Sequence, residues 1–361
     1  METNSPSRER LLGIDGLRGL AVLCVLVEHA GRSWHLQPGT YAYAWVNHGG
    51  LGVTVFFVIS GFVITRLLIR DQLRPGRGGA AAFWRARVVR LVPALAVYLA
   101  AVAAMSWLGG PRIPAVDLAW SGFGLWNYRG LFVLPDSASA VWFLGHTWSL
   151  SLEQQFYLLW PLALLAWGTG RQMRLALAGL ILIAPFVRVL SYFLQPETRG
   201  MIGMMFHTRM DSLLMGCLLA ILETQWRERC RGWRTGVCAG VAAWYCVFLA
   251  PWLGRCFGGA YWLPFGFTLD SVLAVLLVIW AVTSPPNWLA GGVLLWIGRI
   301  SYSLYLWQQF FLGDTVITRW LSWPLALVAA VVTGAASYYC VERPVQRWYA
   351  ARRSNAGRAT P

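Results

Sequence analysis

The chain has 361 residues, of which 57% are hydrophobic and 12% charged, with a mean hydropathy of +0.53. Soluble domains carry roughly a quarter charged residues, so this composition cannot build a water-facing surface and an integral membrane protein is expected. The net charge is +15, but every one of the 30 basic residues is an arginine, and they gather in short segments between apolar blocks, as in membrane-flanking loops and unlike a nucleic-acid groove.

Apolar windows fall near 11–30, 49–69, 91–109, 148–167, 175–194, 208–223, 236–253, 264–282, 291–312 and 322–341. Each is near the length that crosses a bilayer, and the runs are continuous rather than alternating. The fold class expected is therefore all-α, a polytopic membrane bundle of about ten transmembrane helices, because lipid admits helices or closed barrels. The arginines at 8–10, 66–90, 171–174, 227–234 and 343–358 number twenty. Six lie in the alternate connections: Arg32, Arg112, Arg129, Arg199, Arg255 and Arg319. The positive-inside rule then places both termini in the cytoplasm. The organisation expected is one transmembrane domain over 1–345 and a short basic cytoplasmic tail over 346–361. Asp15 and Arg18 within the first apolar block, with no small-residue cleavage site after it, argue against a removable signal peptide. In the longest outer connection, 110–147, Trp120, Trp126, Tyr128 and Trp142 suit an interfacial aromatic belt or a sugar-stacking surface, with the belt the expectation.

Charged and polar groups inside spans are expensive and mark function or pairing. In the first span Arg18 and His29 are eleven residues apart, three turns plus about 20°, so they share one helical face with a rise of about 16 Å between them. That arrangement suits a long substrate lying across the membrane, with histidine able to accept a proton near neutral pH. It suits equally an Asp15–Arg18 pair at the helix end with His29 at the interface. The fourth span buries Glu153, which needs a cation or imidazole partner; His29 could supply it, or Glu153 could hold two helices together. His146 and Ser149 lie near the start of that span. Arg85, Arg87 and Arg90 stand at the membrane face, where they either clamp phosphates or anchor the topology. Arg209 and Asp211 open the sixth span, and Asp270 and Arg299 lie in later ones, as functional groups or structural pairs. Gly49, Gly50, Gly52, Ser60 and Gly61 are expected to permit close helix packing. The seven cysteines and five histidines show no metal-ligand spacing, so no metal site is expected.

These segments together resemble the membrane-bound acyltransferase-3 family. The motifs that carry the resemblance run nearly end to end: DGLRGLAVLCVLVEHA with Arg18 and His29, FFVISGFVIT at 56–65, FWRARVVRLVP at 83–93, HTWSLSLEQQFYLLWP at 146–161, RMDSLLMG at 209–216, ISYSLYLW at 300–307 and VERPVQRW at 341–348. The resemblance implies a ten-helix bundle that moves acyl groups from acyl-CoA to sugars and other acceptors. His29 takes the place of the essential histidine, Arg18 lies beside the acyl-CoA path, and Arg87 and Arg90 match the arginines at the CoA end, with Arg85 a helper. Glu153 matches the more constant of two family glutamates. Four positions depart from the pattern: Gln154 replaces the second glutamate, Gln308 stands where a histidine often follows, Ala86 interrupts a usual arginine, and Glu28 beside His29 is uncommon.

The function implied is O-acetylation of a hydroxyl on a cell-surface or exported saccharide, in the plasma membrane of a bacterium. Acetyl-CoA is the donor substrate, and no cofactor is bound permanently. His29 and Glu153 are the catalytic residues expected, with His146, Ser149, Arg209 and Asp211 as acceptor-site or supporting positions. The partners are acyl-CoA, a saccharide or lipid-linked saccharide, and the bilayer, with no nucleic acid. A macrolide or other natural product is the other acceptor class. A proton-coupled transporter would also place His, Glu, Asp and Arg in the membrane, but would be expected to carry internal repeats with broken helices, which the sequence lacks.

Overall fold

The computed structural model describes residues 11–72, 79–131, 138–230, 232–313, 321 and 323–358. Arg8, Arg10, Arg74, Arg77, Arg231 and Arg319 lie outside the described residues. All regular structure among those described is helical.

Helices occupy each apolar window: α1 (Leu12–Gly31), α2 (Leu51–Leu67), α3 (Gly79–Trp107), α4 (Thr147–Trp167), α5 (Arg171–Leu194), α6 (Asp211–Ile221), α7 (Trp233–Trp244), α8 (Phe267–Thr283), α9 (Gly292–Phe311) and α10 (Leu325–Ser337). Six helical stretches are long and apolar enough to cross a membrane, fewer than the ten or so expected: Tyr41–Arg70, Gly79–Trp107, Arg171–Leu194, Arg234–Phe257, Gly259–Thr283 and Leu325–Arg352. The shortfall has two physical causes. The α6 helix has 11 residues, about 17 Å of rise. The α1, α4 and α9 helices reach 20, 21 and 20 residues but carry the polar side chains that matter below. A helix Arg343–Arg358 runs through the expected start of the basic tail.

Arg85, Arg87 and Arg90 stand on α3, which begins at Gly79, well ahead of the apolar window at 91. Hydropathy marks where lipid touches a helix, whereas arginine is itself a good helix former, so the helix continues where the apolar signal stops. Lipid contact is clearest on α5, where Leu182, Phe186 and Phe193 are 71%, 74% and 68% exposed.

Glycines bring the helix axes together. The Gly61 position on α2 would place a Cβ 2.0 Å from the Leu213 carbonyl oxygen on α6, and Gly216 on α6 would meet the Val58 carbonyl oxygen at 2.2 Å. On the other side, a Cβ at Gly298 of α9 would sit 1.7 Å from the carbonyl oxygen of Asp15 on α1. With no side chain in the way, backbones approach and the dispersion contacts on either side close. The α1, α2, α6 and α9 helices thereby form the inner cluster, with Val22, Val25, Phe57, Leu213 and Leu304 in one continuous core.

Substituting Gly61→Ala should lower thermal stability in detergent by about 1–3 kcal/mol, the usual cost of overpacking. Gly240→Ala, where a Cβ meets nothing within 4 Å, should be neutral or stabilise by up to about 1 kcal/mol. Melting curves of the two variants followed by fluorescence-detected size exclusion check the contrast.

Candidate active site

Two cavities lie along the polar face of α1. The larger, about 790 Å³, is lined by Asp15 and Arg18 of α1, Val53 and Ser60 of α2, Arg87 and Arg90 of α3, Ser149, Glu153 and Tyr157 of α4, and Ser301, Tyr302 and Tyr305 of α9, with Arg66 and Arg70 from the end of α2 and the turn after it. Five helices therefore deliver its polar groups to a space of the size that holds a small-molecule substrate. Arg18 Nη2 donates to Ser301 Oγ at 3.0 Å. Glu153 accepts from Ser60 Oγ at 2.5 Å on one carboxylate oxygen and from the Tyr157 hydroxyl at 2.9 Å on the other. The Arg87 guanidinium lies over the rings of Phe83 and Tyr157, 5.3 and 5.7 Å from their centroids, and its Nε is buried without a partner among the described residues. Five arginines against the two carboxylates Asp15 and Glu153 leave the chamber net positive, which suits a polyanionic ligand.

The smaller cavity, about 380 Å³, is lined among others by Glu28, His29, His146, Trp148, Arg199, Trp262 and Phe267. His29 is oriented by Gln308, whose Oε1 accepts from the imidazole Nδ1–H at 2.8 Å. That hydrogen bond fixes the tautomer and leaves the Nε2 lone pair free to take a proton. Trp142 closes over the imidazole edge-on, ring centroids 6.0 Å apart, and is itself held by its indole N–H on the Gln309 carbonyl at 2.9 Å. His146 is 3% exposed and neither of its ring nitrogens has a partner among the described residues. Val53 and Tyr305 belong to the walls of both cavities.

Arg18, Arg87, Arg90, Glu153 and Ser149 thus meet in one chamber, and His29 and His146 meet in the next. Arg85 is exposed on α3 and lines neither cavity, because its place on the helix turns it away from Arg87 and Arg90. The expected pairing of Glu153 with His29 does not form. Glu153 is occupied by the two hydroxyls in the larger cavity, and His29 takes the neutral amide of Gln308. Arg209 and Asp211 line neither cavity and belong to a buried structural network. Asp211 accepts from Arg188 Nη1 at 2.9 Å and from Thr268 Oγ1 at 2.8 Å, while Arg209 donates to Thr54 at 2.5 Å and Ser212 at 3.3 Å.

Sequence reasoning missed four groups. Tyr157 could have been found from its i+4 spacing to Glu153, and Arg188 as a lone arginine in an apolar helix. Ser60, taken for a packing residue, gains its partner only from the pairing of α2 with α4. Trp142 fits an interfacial belt or a sugar-stacking surface in the sequence, and only its indole N–H on the Gln309 carbonyl of α9 reveals it as the cover of His29.

A family model for the acyltransferase domain matches residues 11–342. The O-acetyltransferase OatA of Staphylococcus aureus strain NCTC 8325 is 29% identical over 324 residues, covering 82% of this chain and 50% of that protein. A putative O-acetyltransferase of S. aureus strain COL is 30% identical over 313 residues, with the same coverage of 82% and 50%. The chain spans about half the length of these curated relatives. No solved structure matches it. The match over nearly the whole chain, carried by helices whose polar residues converge on two adjoining cavities, makes this chain a member of the acyltransferase-3 family.

Proposed function

We propose that this chain is a membrane O-acetyltransferase that carries an acetyl group from acetyl-CoA to a hydroxyl of a cell-surface or exported saccharide at the bacterial plasma membrane. The observation that supports it most is the juxtaposition of an arginine-lined chamber with a histidine-bearing one along a single helix. The phosphates of the donor pair with Arg87 and Arg90, and the pantetheine arm runs past Arg18 towards the shared wall. The acceptor occupies the smaller cavity, where Trp148, Trp262 and Phe267 offer aromatic faces for a sugar ring and Glu28 and Arg199 offer polar contacts.

The chemistry follows from the hydrogen bond to Gln308. His29 Nε2 removes the proton from the acceptor hydroxyl as its oxygen attacks the thioester carbonyl. Collapse of the tetrahedral intermediate breaks the carbon–sulfur bond, and the imidazolium returns the proton to the departing thiolate, so the products are the O-acetyl ester and CoA. Glu153, fixed by Ser60 and Tyr157, balances the charge of the arginines around the donor and does not touch His29.

Thiol release from acetyl-CoA by the protein in nanodiscs, with and without an extract of membrane lipids and polysaccharide, tests the reading. His29→Ala should lose about 10²–10⁴-fold of the acceptor-dependent rate while remaining inserted and monodisperse; a variant that keeps the full rate overturns it. Gln308→Ala should lower kcat on the order of 10²-fold by releasing the imidazole from its orientation, with the KM for acetyl-CoA nearly unchanged. Arg87→Gln and Arg90→Gln should do the reverse, each raising that KM roughly tenfold or more through loss of a charge-assisted contact, with little change in kcat at saturation.

A further inference from the structure

The donor and the base lie in different chambers, so the acyl group has to pass between them. Two residues stand in both walls, Val53 of α2 and Tyr305 of α9, and each is 6% exposed. We infer that Val53 and Tyr305 form an aperture that sets the length of the acyl chain this protein accepts, admitting a short group such as acetyl and stopping longer ones. The inference rests on the acyltransferase reading above.

Tyr305 is a fixed jamb. Its hydroxyl donates to the His146 carbonyl at 2.9 Å and lies 2.6 Å from Ser149 Oγ, and its ring meets the His146 imidazole with centroids 5.5 Å apart. These contacts tie it to the start of α4 and leave the ring no other rotamer without stranding buried polar atoms. Val53 is fixed from behind. The neighbouring Gly52 would place a Cβ 2.1 Å from the Ala21 carbonyl oxygen and 3.0 Å from Val25 Cγ2, so α2 is already pressed against α1 and cannot retreat. A β-branched side chain on such a backbone has one strongly preferred χ1 in a helix. The width of the passage is therefore set by side-chain volume at these two positions and not by helix motion. The chamber beyond, about 380 Å³, must also hold the acceptor, so room given to a long acyl tail is room taken from the attacking hydroxyl.

The test needs no acceptor. The affinities of CoA, acetyl-CoA, butyryl-CoA and hexanoyl-CoA are measured by calorimetry for the wild type, Val53→Ala and Val53→Ile in nanodiscs. In the wild type, affinity should stop improving beyond a chain of two to three carbons. Val53→Ala should restore a gain on the order of fourfold per added methylene, the value of burying one CH₂, so that hexanoyl-CoA binds at least tenfold tighter than to the wild type while free CoA is unchanged. Val53→Ile should weaken acetyl-CoA and leave free CoA unchanged. Opposite shifts from one position, against a constant affinity for CoA itself, cannot come from loss of fold. If all three proteins bind CoA with one and the same chain-length profile, the aperture is wrong and the donor site stands. If the wild type binds neither CoA nor any acyl-CoA, the acyltransferase reading itself fails.

Discussion

A helix in hydrocarbon can carry a polar stripe only where other helices cover it, since a charge left facing lipid costs several kcal/mol. The α1 helix carries Asp15, Arg18, Glu28 and His29, and the positions of α2, α3, α4 and α9 answer that requirement. Arg18 is met by Ser301 of α9, His29 by Gln308 about two turns further along the same helix, and the space between is walled by α2 and α4. The glycine contacts of α1 with α9 and of α2 with α6 are what allow the cover to be tight. Packing and site are thus one arrangement: the contacts that hide the stripe from lipid also enclose the two cavities.

The orienting partner of His29 has a chemical consequence. A carboxylate on Nδ1 would stabilise the imidazolium as a resident ion pair. The neutral amide of Gln308 fixes the tautomer without adding charge, so a proton taken up at Nε2 gains no fixed counter-ion from that side. In the reaction proposed above, such a histidine would hold the proton briefly, between its removal from a hydroxyl and its delivery to a thiolate. Glu153 instead lines the larger cavity together with Arg18, Arg87 and Arg90.

Much of this could be read from the sequence because it is local. Arg18 and His29 share a face by helical arithmetic, Arg87 and Arg90 by their i, i+3 spacing, and hydropathy located a helix at every apolar window. What could not be read depends on which helices meet. One of the two partners of Glu153 came from α2, the partner of His29 from α9, and Asp211 found Arg188 of α5 in place of its near neighbour Arg209. Helix ends were misread where arginines extend a helix beyond its apolar part, as in α3. Six of the ten windows hold helices that are long and apolar enough to cross a membrane; the helices in the other four, α1, α4, α6 and α9, are short or carry polar side chains.

Arg188 is fully buried, and its guanidinium donates to the carbonyls of Leu263 and Thr208, to Asp211 and to Thr268. Each of those acceptors lies later in the chain, at or just before the start of α6 or of α8. During synthesis α5 therefore emerges with an arginine in its C-terminal half and no partner for it, an expensive group to leave facing lipid. The outward face of the same helix, with Leu182, Phe186 and Phe193, favours release into lipid. The opposing demands make α5 a helix that inserts but does not settle until α6 and α8 follow. The buried position of Arg188 is thus completed only by residues that follow it in the chain, as far as Thr268.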